Sequence, residues 1–156
     1  MIMKLKRYEI NNLNDLLSSE GFNTSLMETN SAMKVVILKM KVSDEASFIE
    51  KTRKEFIQSN TPKRLKELSE KEDSSRTDEE KAEFMELTKK LNNKFIPAFT
   101  DFLNEEIEFD FEKISTNDFK KLMESNNSNT NKIDLNHFSI IYKYIVDTET
   151  KEEVEK

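Results

Sequence analysis

Apolar residues recur along most of this chain at helical spacing. Phe84, Leu87, Leu91, Phe95, Ala98 and Phe102 follow one another at gaps of three, four, four, three and four, which predicts one apolar stripe along a helix. Upstream, Met33, Val36, Ile37, Met40, Phe48, Ile49, Phe56 and Ile57 recur at mixed helical spacings. They predict a long helix over residues 31–58, capped by Thr29 or Asn30, with its apolar face interrupted around Ser43 and Asp44. Thr61-Pro62 reads as a restart, with Thr as N-cap and Pro at the first helical position, and Leu65 and Leu68 give that helix a thin apolar face.

Shorter helices flank these. Tyr8, Leu13, Leu16 and Leu17 predict one that ends by Gly21. Ser115, with Asp118 at the third position, caps another carrying Phe119, Leu122 and Met123. Asp134 opens a last one with Leu135, Phe138, Ile141, Tyr142 and Ile145 on one face.

Two stretches change to a period of two. Met3 and Leu5 alternate with Lys4 and Lys6, while Ile107, Phe109 and Phe111 alternate with Glu106, Glu108, Asp110 and Glu112. The lysine face of the first suits the acidic face of the second, so the two predict a two-stranded ribbon. Such a ribbon is marginal alone and needs helices on its apolar face.

The intervening segments are polar. Residues 69–83 form a charged connector in which Thr77 and Glu80 match a capping box. Pro97 inside the apolar stripe predicts a kink or break near Lys94. Residues 124–132 read as an Asn/Ser-rich loop, and residues 148–156 as a disordered charged tail.

Together these predict an α+β fold that is mainly α: one elongated domain over residues 1–147. A long antiparallel, coiled-coil-like helical hairpin over about 31–103 carries a small head, built from 1–22 and 104–147, of short helices and the β-ribbon.

Composition explains the thinness of the stripes. Of 156 residues, 36% are charged and 35% hydrophobic, too little apolar surface for a thick two-layer core. One glycine and two prolines argue against a turn-rich β fold. The absence of cysteine excludes disulfides, thiolate metal sites and Cys nucleophiles, and fits a reducing compartment. No apolar h-region follows Lys4, Lys6 and Arg7, and the longest apolar run, residues 35–38, is far too short to span a membrane. The expectation is a soluble, cytoplasmic chain. A net charge of −6 argues against non-specific nucleic-acid binding, which is driven by cations displacing counterions.

No catalytic, cofactor-binding or metal-binding constellation is present. His137 is the only histidine, and catalysis or metal binding would need partners for it. The carboxylates of Glu105, Glu106, Glu108, Asp110 and Glu112 alternate with apolar residues over most of the run, so they read as one solvated strand face. Lys51, Arg53, Lys54, Lys63, Arg64 and Lys66 cluster around Pro62, but Glu50, Glu55 and Glu67 interleave with them, as on a solvated helix. A chain with one glycine cannot build the usual phosphate loop.

These readings point to a non-enzymatic protein that works through protein–protein contacts, most simply as a homo-oligomer. Phe84, Leu87, Leu91, Phe95 and Phe102 are the candidate interface. On that reading, changing Leu87 or Leu91 to Asp abolishes association. The alternative is a small acidic inhibitor or DNA mimic aimed at a nuclease, motivated by the run from Glu105 to Glu112 and the acidic connector.

The opening Met3-Lys4-Leu5-Lys6-Arg7-Tyr8-Glu9-Ile10-Asn11-Asn12-Leu13 resembles the start of small proteins encoded by phages and prophages of low-GC bacteria and Bacteroidota, a domain family of unknown function. The paired charged helices, residues 102–110 with 115–122, and the closing residues 140–146 are similar to the same pattern. The resemblance covers nearly the whole chain except the tail and carries no catalytic residues. It implies a phage context, in which small acidic helical proteins serve assembly, occupy the virion or block host defence; the partner would then be a second copy or another phage protein, and the target of the alternative inhibitor a host nuclease or defence complex. On this resemblance Met3 is an alternative start to Met1.

Overall fold

The computed structural model describes residues 2–127 and 135–147. Its elements are β1 (Ile2–Lys6), α1 (Arg7–Leu17), α2 (Thr29–Asn60), α3 (Lys63–Glu70), a 3-10 turn (Asp73–Ser75), α4 (Asp78–Asn104), β2 (Glu106–Asp110), α5 (Thr116–Asn126) and α6 (Leu135–Ile145). The fold is mainly helical, with one two-stranded antiparallel sheet among the described residues. The chain divides into two compact units, Met1–Ala46 with Glu106–Lys156, and Ser47–Glu105. No helix among the described residues is long and apolar enough to cross a membrane.

In the first unit β1 and β2 pair as their alternation predicts. Lys4 lies across from Glu108 and Lys6 from Glu106, while Met3 faces Phe109 and Leu5 faces Ile107. Opposite charges directly across an antiparallel pair stabilise it by roughly 0.2–1 kcal/mol. The apolar face supplies Leu5 and Phe109 to the core.

Glu9 folds back to accept the Lys6 backbone N–H at 2.8 Å, tying the start of α1 to the strand before it. The helix buries Ile10, Leu13, Leu16 and Leu17. Tyr8, expected on that face, is exposed, because two residues of helix carry it to the far side from Ile10. Gly21 takes the positive φ of 80° that the following turn requires.

The first half of α2 departs from the expected face. Val35, Leu38 and Val42 are buried in the core, whereas Met33, Val36, Ile37 and Met40 point to solvent. Its cap also shifts. The Ala32 N–H donates to the Glu28 carbonyl at 2.8 Å, so Glu28, rather than Thr29 or Asn30, occupies the N-cap position.

The chain after β2 closes this unit. Ile114 and Val146 form a parallel bridge, with the Ile114 N–H donating to the Ile145 carbonyl and the Asp147 N–H to the Ile114 carbonyl, both at 2.9 Å. Ser115 caps α5 by accepting the Asp118 N–H at 3.1 Å. The helix then runs to Asn126, through positions expected to be loop. Ser125 and Asn126 are buried, and their polar atoms pair with the turn before α2. Asn127 follows as the C-cap of α5, and residues 128–132 of the expected loop, the Asp134 cap and the expected tail 148–156 lie outside the described residues.

In the second unit α4 meets α3 and, through Phe48–Phe102 and Phe56–Phe95, residues 47–60 of α2, and Ile49, Leu65 and Leu68 are buried. The Lys66 N–H donates to the Pro62 carbonyl, which makes Pro62 rather than Thr61 the N-cap of α3. Thr77 and Glu80 form the expected capping box: Thr77 Oγ1 accepts the Glu80 N–H at 3.1 Å, and Glu80 Oε1 accepts the Thr77 N–H at 3.4 Å. The helix does not break at Pro97 but continues to Asn104. An interior proline costs about 3 kcal/mol through the missing donor and a clash with the preceding turn, and packing along one side of a helix of this length offsets it.

Candidate protein interface

The candidate stripe lies along α4. Phe84, Leu87, Leu91, Phe95 and Phe102 are all half-buried, and no side chain of this helix is fully buried. Its C-terminal half forms an aromatic ladder within the second unit. Phe95 stacks on Phe99 with centroids 5.0 Å apart and lies 5.6 Å from Phe56. Phe102 lies 5.9 Å from Phe99 and 6.2 Å from Phe48. Phe99 therefore takes the position assigned to Ala98, which is exposed. Both residues fit helical spacing after Phe95, and the larger ring wins the contact.

At the other end of the stripe, Phe84 is covered by Arg76. Its guanidinium carbon sits 4.1 Å from the ring centroid. The same group donates from Nε to the Leu68 carbonyl at 2.9 Å and from one Nη to the Lys71 carbonyl at 3.0 Å, closing the C-terminus of α3. Composition alone did not single out Arg76, because it lies in a run of fifteen mostly charged residues, 69–83.

Charged groups around the stripe are mutually satisfied. Arg64 forks onto Glu83 at 3.0–3.2 Å and holds that carboxyl below its usual range. The Lys71 ammonium does the same for Glu80 at 2.5 Å. Lys51, Arg53, Lys54 and Lys63 each lie within 4.0 Å of a carboxylate. Five of the six cationic residues are thus paired with carboxylates on a solvated helix surface, and Lys66 is exposed.

The acidic strand is interrupted in the same way. Beyond the lysines across from Glu106 and Glu108, Lys34 Nζ lies 3.5 Å from Glu112, and Lys41 Nζ donates to the Asp110 carbonyl at 2.5 Å. His137 is half-buried on α6. No group of three or more His, Cys, Asp or Glu side chains among the described residues is arranged to hold a metal ion.

No family model, curated protein or solved structure matches the chain.

Among the described residues, one exposed apolar cluster lies outside the candidate residues. On α2, Met33, Val36, Ile37 and Met40 are 51%, 41%, 45% and 63% exposed. Their spacing of three, one and three places them on one side of the helix, opposite Val35, Leu38 and Val42. A depression of about 560 Å³ borders the stripe on one flank, lined by Met33, Ile37 and Phe111 with Lys34, Lys41, Asp110 and Glu112. Another of about 370 Å³ lies beside Val36, Lys39, Met40 and Asp44. The signal was present in the sequence: four consecutive apolar residues, 35–38, span most of a helical turn and cannot all face one core.

Proposed function

We propose that this chain is a non-enzymatic structural or assembly interaction protein that works through helical protein–protein contacts. The observation that carries this reading is the exposed Met33-Val36-Ile37-Met40 stripe, set on a helix whose opposite face is already buried. Water-soluble surfaces scatter apolar side chains singly, and a contiguous stripe at i, i+3, i+4, i+7 is the pattern by which one helix docks on another. The α4 stripe differs from it, being half-buried, with its aromatic half engaged by Phe48 and Phe56 of the same unit. Within Ser47–Glu105, the contacts Phe48–Phe102 and Phe56–Phe95 run in opposite order along α2 and α4, which supports a helical-hairpin reading of that unit. The phage setting of the proposal rests on the resemblance of the sequence.

The test is affinity capture from cells that naturally express the chain, comparing wild type with Ile37→Asp. The expected result is a defined protein retained by wild type and lost from the variant, with both equally helical by circular dichroism. Identical retention by the two overturns the reading.

A further inference from the structure

We infer that the occupant of the α2 stripe is a second copy of this chain, packed antiparallel about a two-fold axis between Val36 and Ile37. This rests on the reading of α2 as a docking face. Two features of the stripe select a copy over other partners.

The first is its order. Met33, Val36, Ile37 and Met40 read nearly the same in both directions about their midpoint, with methionines outside and β-branched residues inside. A two-fold contact places each residue of one chain against the symmetry-related position of the other, so it requires a self-complementary surface. Antiparallel packing about this midpoint sets Met33 against Met40 of the copy and Val36 against Ile37. The flexible methionines then meet the depressions that border the stripe.

The second is charge. The chain carries −6 overall, yet the rim of this stripe is balanced. Lys34 and Lys41 stand beside Glu112 and Asp110, and Lys39 shares the other depression with Asp44. A strongly acidic or basic partner gains nothing from such a rim, nor does an anionic membrane surface. A copy meets it without net repulsion and can exchange ion pairs across the axis.

The chain contains no cysteine, so each introduced one is the sole thiol. Light scattering coupled to size exclusion should give twice the 18.4 kDa chain mass for wild type and the single-chain mass for Ile37→Asp and Met40→Asp. Under mild oxidation Ile37→Cys should link to itself. Met33→Cys should not, because antiparallel copies hold the two positions seven residues apart, roughly 10 Å along the axis, beyond disulfide reach. Mixed Met33→Cys and Met40→Cys chains should form the mixed dimer. A single-chain mass at every concentration, or Met33→Cys linking to itself, overturns the inference. If the mass is that of one chain and Ile37→Asp still abolishes capture, the inference falls while the docking function stands.

Discussion

Asn126 holds Asn23 by both sides of its backbone. Its Oδ1 accepts the Asn23 N–H at 3.0 Å, and its Nδ2 donates to the Asn23 carbonyl at 2.9 Å and to the Leu122 carbonyl at 2.9 Å. One residue earlier, Ser125 Oγ accepts the Leu26 N–H at 2.9 Å. The end of α5 thus pairs with the turn before α2 as a strand would, using side-chain atoms in place of backbone. Both residues are buried, so removing either partner strands polar groups away from water. Asn126→Ala is expected to cost about 1–3 kcal/mol in urea unfolding. Asn126→Asp should cost as much, because a carboxylate cannot donate to either carbonyl. A change within about 0.5 kcal/mol for both would show that the turn is held by other contacts.

Tyr144 donates its hydroxyl hydrogen to Glu9 Oε1 at 2.6 Å, joining α6 to the carboxylate that caps α1. Burial first, and then the Glu9 carboxylate, push the phenol above its ordinary pKa of 10.0. A group whose folded pKa is raised contributes its full stability below the unfolded value and loses it as pH rises through the folded one. Tyr144→Phe is therefore expected to cost about 1 kcal/mol at neutral pH. That difference should hold up to about pH 10 and shrink above it as the wild-type phenol ionises. Thermal unfolding of both proteins between pH 7 and 11 checks this, and a pH-independent difference would remove the phenol from the account.

The ribbon, the Thr77 and Ser115 caps and most helix positions were legible because each is specified locally, by alternation, spacing or a capping residue. What was not legible depended on contacts distant in sequence. The core face of α2 is chosen by what packs on it, and a helix apolar on two sides offers no local rule for the choice. Asn126 reads as loop by composition and becomes helical because its side chain finds Asn23, 103 residues away. Likewise the α4 stripe was visible as a stripe, but its use of Phe99 rather than Ala98 depends on ring contacts with neighbouring side chains.

Arg76 joins three features with one guanidinium: the last carbonyls of α3, the 3-10 turn and the Phe84 ring. A lysine keeps the charge but cannot fork onto the Leu68 and Lys71 carbonyls while lying flat over Phe84. Arg76→Lys and Arg76→Ala are both expected to lower stability by about 1 kcal/mol, lowering the melting temperature by roughly 2–4 °C for a chain of this size. Faster amide exchange at the end of α3 should accompany the loss. Full rescue by lysine would assign the effect to charge alone.

Leu91 and Ile37 separate the two candidate faces. Leu91 is half-buried in the middle of the α4 stripe, one turn from Phe95, whose ring packs on Phe56 in the same unit. Ile37 is exposed, on the side of α2 away from its core. Leu91→Asp puts a carboxylate among half-buried rings and is expected to cost about 1–3 kcal/mol of unfolding stability while leaving the mass of the folded species unchanged. Ile37→Asp should do the reverse, halving that mass with stability unchanged within about 0.5 kcal/mol once association is allowed for. The two readouts are independent, so the pair decides between the faces. If Leu91→Asp abolished association and left stability intact, the oligomer seam would lie on α4, and the α2 stripe would lose its assignment to a second copy.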